Sequence, residues 1–301
     1  MTLRFNRCRD IELPPDSGRR LWLVVATAGA LLLCYQSAIR GMLHQWLTDE
    51  DMAHGMLAPL VIAGIVYRER SRLRALPLQP TRWAIAVLAA GAGLQLASLL
   101  GVGLFAGSVA LLVSIAGVIL GVGGFAWLRR LAFPFALALF MLPKLAFVYN
   151  QLTLPLQLSS TRIAAGILSA AGFLVVRTGN ILDVSGHRIA VVEACSGLRY
   201  LLPLGFATLV FGYLSGSKVG MRMALLAASL PLAIVFNALR LAALAASPAL
   251  LTGALHDLTG VVVFVLCLAS VVCMHRLFLA LSSGFGSSGF GVKRQAPGRH
   301  A

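Results

Sequence analysis

Apolar runs of membrane-spanning length recur along the whole chain, and short basic connections separate them. An α-helix needs about 20 apolar residues to cross a bilayer. Runs of this kind lie near 21–39, 54–67, 83–100, 104–127, 131–148, 197–214, 222–247 and 257–279. A soluble core of this size cannot bury so much apolar side chain. The chain is 59% hydrophobic and 12% charged, whereas soluble domains carry about 25% charged residues. The expected fold is all-α: a polytopic integral membrane protein with about eight transmembrane helices. The short alternating strands of a transmembrane barrel are absent from the pattern.

The charge distribution sets an orientation. Net charge is +15, which by itself would suggest a nucleic-acid partner. The positive-inside rule accounts for it instead. With the N-terminus in the cytoplasm, 18 of the 25 Lys and Arg fall on the inner side and six of the ten acids on the outer side. The net charge is then +14 inside and +1 outside. No nucleic-acid partner is expected. The first apolar run is too long for a cleaved signal and reads as a retained anchor.

Segment 149–176 is apolar but contains Arg162, Pro155 and several Ser, Thr and Gln. If it crossed the membrane, every later loop would invert against the charge rule. It is therefore expected to be an interfacial or re-entrant helical stretch on the outer face. Residues 177–194 carry turn signals, Thr178-Gly179-Asn180 and Ser185-Gly186, around short β-branched runs. They predict a small outer-face hairpin leading into Cys195. The organisation expected is a basic cytoplasmic tail at 1–20, an integral membrane domain at 21–281 and a Gly/Ser-rich cytoplasmic tail at 282–301.

Ionisable residues within or beside apolar spans are costly and so are functional candidates. Three converge on the predicted outer side. Cys195 precedes the sixth span, Arg240 lies about two turns inside the seventh, and His256 opens the eighth. A thiol at a helix N-terminus is biased toward thiolate. A histidine in reach can take its proton and return it to a leaving amine. An arginine can hold a developing oxyanion. Together they are the parts of a cysteine acyl-transfer site. Each also has a plainer reading: Cys195 as a small apolar residue, Arg240 snorkelling to headgroups, His256 capping a helix. Cys34, Cys267 and Cys273 have no polar neighbours in sequence and read as packing residues. The cysteines show no CxxC or Cys/His spacing, so no metal site or cofactor is expected.

Local motifs sharpen this. VVEACSGLRYLLPL (191–204) resembles the signature of the exosortase/archaeosortase family of membrane cysteine transpeptidases. DEDMAHGMLAPL (49–60) resembles that family's first outer motif, with Met52-Ala53-His54 where an aromatic-Ser-His run is common. FPFALALFMLP with LTLPLQLSSTRIAAGIL is similar to its middle region. LPLAIVFNALRLAAL (230–244) and LHDLTG (255–260) resemble its Arg and His motifs. The resemblance runs from about 45 to 279.

The resemblance implies that Cys195 is the nucleophile and that Arg240 and His256 complete the site. It implies cleavage of exported proteins at a C-terminal sorting tail of the PEP-CTERM type, through a thioester. The localisation implied is the bacterial inner membrane, with both termini cytoplasmic, the active site at the outer face, and a link to exopolysaccharide and cell-surface sorting. The partners expected are exported proteins with such tails, and membrane lipids. Arg199, four residues after Cys195 on the same helix face, is a candidate for binding an acidic substrate residue. Glu193, Asn237 and His54 are further candidates around the site. Two other readings remain open at this point: a membrane acyltransferase using a Cys195 thioester, and a non-enzymatic transporter or polysaccharide-export scaffold.

Overall fold

The computed structural model describes residues 17–190, 198–250 and 253–286. The chain forms two units, Met1–Thr48 with Gly55–Pro143, and Asp49–His54 with Lys144–Ala301.

The first unit holds α1 (Ser17–Cys34), α2 (Gln36–Thr48), α3 (Ala58–Arg74), α4 (Trp83–Ala97), α5 (Leu104–Val122), α6 (Gly124–Arg130) and α7 (Ala132–Ala138). Helices α4 and α5 form an antiparallel pair through small residues. Ala84 faces Gly121, Leu88 faces Gly117, Gly91 faces Ser114 and Ser98 faces Gly107. A Cβ on Gly117 would come within 3.1 Å of the Leu88 backbone nitrogen, so the backbones approach as close-packed membrane helices do. The chain reverses between the two helices at Gly101 (φ 116°) and Gly103 (φ 101°), a conformation that glycine adopts without a Cβ clash.

Helix α1 ends where Tyr35 interrupts the pattern, and polar pairs tie the break to the hairpin. Tyr35 Oη lies 2.5 Å from Ser114 Oγ, and Gln95 Nε2 donates to the Cys34 carbonyl at 3.0 Å. Glu69 is buried on α3 and is paired with Arg72 (3.3 Å) and Arg130. Large apolar side chains such as Trp83, Ile85, Leu99 and Leu100 point away from the unit and are exposed, which a lipid environment accommodates.

The second unit holds α8 (Ala146–Ala170), strands β1 (Val175–Thr178), β2 (Ile181–Val184) and β3 (His187–Ala190), then α9 (Leu198–Leu214), α10 (Val219–Ala246) and α11 (Gly253–Gly286). The strands form an antiparallel sheet in the order β1-β2-β3. Its turns fall at Gly179-Asn180 and Ser185-Gly186, the positions the turn chemistry marked. Ser185 (φ 52°) and Gly186 (φ 86°) both take left-handed backbone, as a two-residue hairpin turn of this type requires. The segment is thus a three-stranded meander, one strand more than the single hairpin expected. Leu182 and Val184 of β2 are buried with Ala164 and Leu168 of α8 and Ala238, Leu241 and Ala242 of α10. A second core joins α9, α10 and α11 through Leu204, Leu225, Ala233, Val263 and Cys267.

Among the described residues, four helical stretches are long and apolar enough to cross a membrane: Trp83–Val102, Leu104–Val122, Val219–Ala246 and Gly253–Leu281. A fifth is reached if Gly124–Arg130 and Ala132–Met141, bent by 57°, count as one span. About eight were expected. Among the described residues the first apolar run contributes the shorter helix Val25–Cys34, followed by a break at Tyr35. Helix α3 carries Arg68, Arg70, Arg72 and Arg74 in its last two turns. Among the described residues the apolar part of α9 runs over Arg199–Leu214. Helix α8 has 25 residues and the length to cross, but it is not among the sufficiently apolar helices.

Candidate active site

The second unit gathers most of the residues the sequence singled out. Cys195 and Glu193 lie outside the described residues, in the connection between β3 and α9.

Arg240 sits on the buried face of α10, with 4% of its surface exposed. A buried guanidinium needs its donors satisfied, and α11 supplies the acceptors. Arg240 Nη2 lies 3.1 Å from His256 Nε2 and 3.5 Å from the His256 carbonyl, and Nε donates to Thr259 Oγ1 at 3.2 Å. Thr259 Oγ1 in turn donates to the His256 carbonyl at 2.6 Å. The first two turns of α11 are thereby locked around the arginine. Arginine has no acceptor, so Nε2 of His256 must present its lone pair and the ring proton sits on Nδ1. That Nδ1 is buried and, among the described residues, has no hydrogen-bond partner.

Tyr200, in the first turn of α9, closes the cluster. Its ring centroid is 5.7 Å from Arg240 Cζ, within reach of a cation–π contact. Gly260 makes room for it: a Cβ there would stand 2.7 Å from Tyr200 Oη. Asn237, one turn before Arg240, is buried and donates through Nδ2 to Ser160 Oγ on α8 at 3.2 Å.

A second polar cluster forms around the acidic run. Asp51 Oδ2 accepts from Lys144 Nζ (2.6 Å) and Tyr149 Oη (2.5 Å), and Oδ1 accepts from Arg199 Nε (3.2 Å). Asp49 also pairs with Lys144 at 2.7 Å. Glu50, with 75% of its side chain exposed, pairs with Arg199 Nη2 at 2.7 Å. Burial alone would raise the Asp51 carboxyl. The hydrogen bonds from Lys144, Tyr149 and Arg199, with the Lys144 charge, outweigh it and hold the group below its ordinary value. Burial likewise works to lower Lys144, and Asp49 and Asp51 together push it above its ordinary value.

The structure therefore brings Arg240 and His256 into contact, ties Arg199 to Asp51 and Glu50, and ties Asn237 to Ser160. The His54 ring centroid is 6.5 Å from that of Phe206 on α9. Sequence reasoning did not single out Thr259, Tyr200, Gly260, Asp51, Lys144 or Tyr149. Thr259 and Gly260 stand inside the LHDLTG run and Tyr200 inside the ACSGLRYL run, so their signal was proximity to the motif residues. Nothing in the sequence marks Lys144 and Tyr149 as partners of Asp51, more than 90 residues earlier.

An all-α chain with four or five candidate spans, and an arginine and a histidine joined between two of its longest helices, is a membrane protein with a polar site inside its helical layer. The chain belongs to the transmembrane exosortase family, whose model matches residues 46–273. No curated protein and no solved structure matches it.

Proposed function

We propose that this protein is a cysteine transpeptidase or protease of the membrane that cleaves C-terminal sorting tails of exported proteins through a thioester on Cys195. The observation that carries the reading is the 3.1 Å contact between Arg240 and His256, beside Tyr200, five residues after Cys195. The Cys195 thiol gives its proton to His256 Nε2, and the sulfur attacks the scissile carbonyl carbon. Once Nε2 is protonated, imidazolium and guanidinium repel, and the Arg240–His256 bond breaks. Arg240 stays anchored through Nε to Thr259, and its freed Nη2 donates to the oxyanion. The carbon–nitrogen bond then breaks, His256 returns the proton to the leaving amine, and a thioester remains. A second nucleophile, water or an amine, takes the acyl group and restores the thiol.

In this reading the membrane is the bacterial inner membrane and the site faces outward, supported by the +14 and +1 charge division across the predicted spans. Glu50, exposed and paired to Arg199, marks where a substrate carboxylate would compete for that guanidinium. The decisive experiment follows processing of a tailed substrate in cells. A chain with Cys8, Cys34, Cys267 and Cys273 replaced should still cut it, and Cys195→Ala should leave it whole. Normal processing by Cys195→Ala overturns the proposal. A fatty rather than peptidyl thioester on Cys195 would instead mark an acyltransferase.

A further inference from the structure

The first unit contains a trough that the proposed chemistry does not use. It has a volume of about 820 Å³, within the range of ligand sites, roughly 300–1,000 Å³. Its walls come from three stretches: Pro59, Ile62 and Val66 on α3, Leu112, Ile115 and Ile119 on α5, and the α6–α7 segment from Trp127 to Met141. The α3 wall does not stay apolar. Continuing along the same face, Arg70 and Arg74 line the far end. The trough is therefore amphipathic along its length, greasy at one end and doubly cationic at the other.

Neither cation is neutralised by a described carboxylate. Glu69, the acid beside them, is committed to Arg72 and Arg130. Arg70 instead lies over the Tyr67 ring, with Cζ 3.6 Å from the centroid, and donates to the Tyr67 carbonyl at 3.1 Å. Trp127 also lines the trough, and its buried indole N–H has no acceptor among the described residues. The dimensions are equally specific. From Pro59 to Arg70 and Arg74 the helix rises about 17–22 Å at 1.5 Å per residue. Half of a bilayer's hydrocarbon core is about 15 Å. One acyl chain along α3 would bring its headgroup to the level of the arginines.

We propose that this trough is a binding site for an anionic glycerophospholipid, with its phosphate on Arg70 and Arg74 and an acyl chain between α3 and α5. Charge complementarity selects this occupant: a zwitterionic lipid gains little from two uncompensated arginines, and a helix with a basic end would be repelled by them. In the proposed orientation the cationic end is cytoplasmic, the side on which basic pockets between helices meet anionic headgroups. The site is independent of the proposed reaction and stands or falls without it.

The test is lipid titration of the purified full-length chain in detergent, read by native mass spectrometry. The probes are phosphatidylglycerol, phosphatidylcholine with identical acyl chains, and glycerol phosphate. At about a fivefold factor for each arginine, phosphatidylglycerol should bind about thirty-fold more tightly than phosphatidylcholine. Arg70→Gln with Arg74→Gln should erase that preference and leave phosphatidylcholine retention unchanged. Ala63→Trp, which fills the trough from α3, should weaken both lipids. Thermal unfolding of each variant confirms that it is folded. Equal affinity for the two lipids, a preference that survives the double Gln variant, or glycerol phosphate binding as tightly as phosphatidylglycerol would each overturn the assignment.

Discussion

Arg240 donates to His256 across 3.1 Å while its Nε holds Thr259, whose hydroxyl bonds the His256 carbonyl. The arginine thus grips both the side chain and the backbone of one helical turn. That grip fixes the imidazole tautomer and buries the guanidinium with Nε and Nη2 engaged. In the proposed reaction the two groups have separate duties: arginine stays protonated and offers a fork of donors, while histidine moves the proton.

Arg240→Ala should therefore reduce substrate cleavage by about 10²–10³, the usual cost of losing an oxyanion donor. Arg240→Lys should fall between wild type and Ala, because its single ammonium cannot reach Thr259 and the oxyanion together. Cleavage rates under single-turnover conditions decide this. Equal rates for Lys and wild type would show that the fork geometry is irrelevant.

Thr259 acts through its neighbours. Thr259→Val removes the acceptor for Arg240 Nε and leaves a buried charged donor unpaired, a cost of about 1–3 kcal/mol. Cleavage should slow by about tenfold or more with little change in KM, and Thr259→Ser should restore it. The pH profile of cleavage should also move in the Val variant, since His256 loses part of its support. An unmoved profile with full Ser and Val activity would reduce Thr259 to a packing residue.

The Asp51 cluster predicts a pH dependence of stability. The Asp51 carboxyl is held below its ordinary value in the folded chain. Its contribution is fully present above the unfolded value, about 4, and is lost as pH falls through the lower folded value. Lys144 is raised, so its share is complete below its unfolded value, about 10.4, and is lost as pH rises past the folded one. Asp51→Asn should lower stability by about 2 kcal/mol at neutral pH, as expected for hydrogen bonds to a charged group. The gap in Tm between the variant and wild type should shrink as pH drops below about 4. A gap that stays constant into strong acid would mean the carboxylate charge contributes nothing.

How much of this could be read from the sequence depends on whether a feature is local. The turns at Gly179-Asn180 and Ser185-Gly186 were legible because left-handed backbone selects particular residues. Arg240 and His256 were legible as a pair because ionisable groups in apolar runs are expensive and few. The clamp between Asp51 and both Lys144 and Arg199 was not legible. It joins residues about 90 to 150 positions apart, and each alone looks like an ordinary loop or interface charge. The count of about eight spans was read from apolar content, whereas four or five stretches among the described residues have both the length and the apolarity to cross. Tyr35 breaks the helix inside a run, 21–39, that looks continuous. Cys195, the residue with the clearest motif, lies outside the described residues, and its role rests on the family and on the experiment above.

The contact between Gly260 and Tyr200 offers a test that separates site geometry from general packing. A Cβ on Gly260 would meet Tyr200 Oη at 2.7 Å, but the next Tyr200 atom, Cζ, only at 3.7 Å. The first distance is a clash and the second an ordinary contact. Gly260→Ala alone should therefore push the Tyr200 ring off Arg240, at an overpacking cost of about 1–3 kcal/mol, with a loss of cleavage. Tyr200→Phe removes only the clashing oxygen. In that background Gly260→Ala should be nearly neutral, so the two changes together should be milder than their separate effects summed. The measurement is a double-mutant cycle on both thermal stability and cleavage rate. Strict additivity would show that the alanine clashes elsewhere, and the close approach of α9 and α11 at this point would then carry no weight in shaping the site.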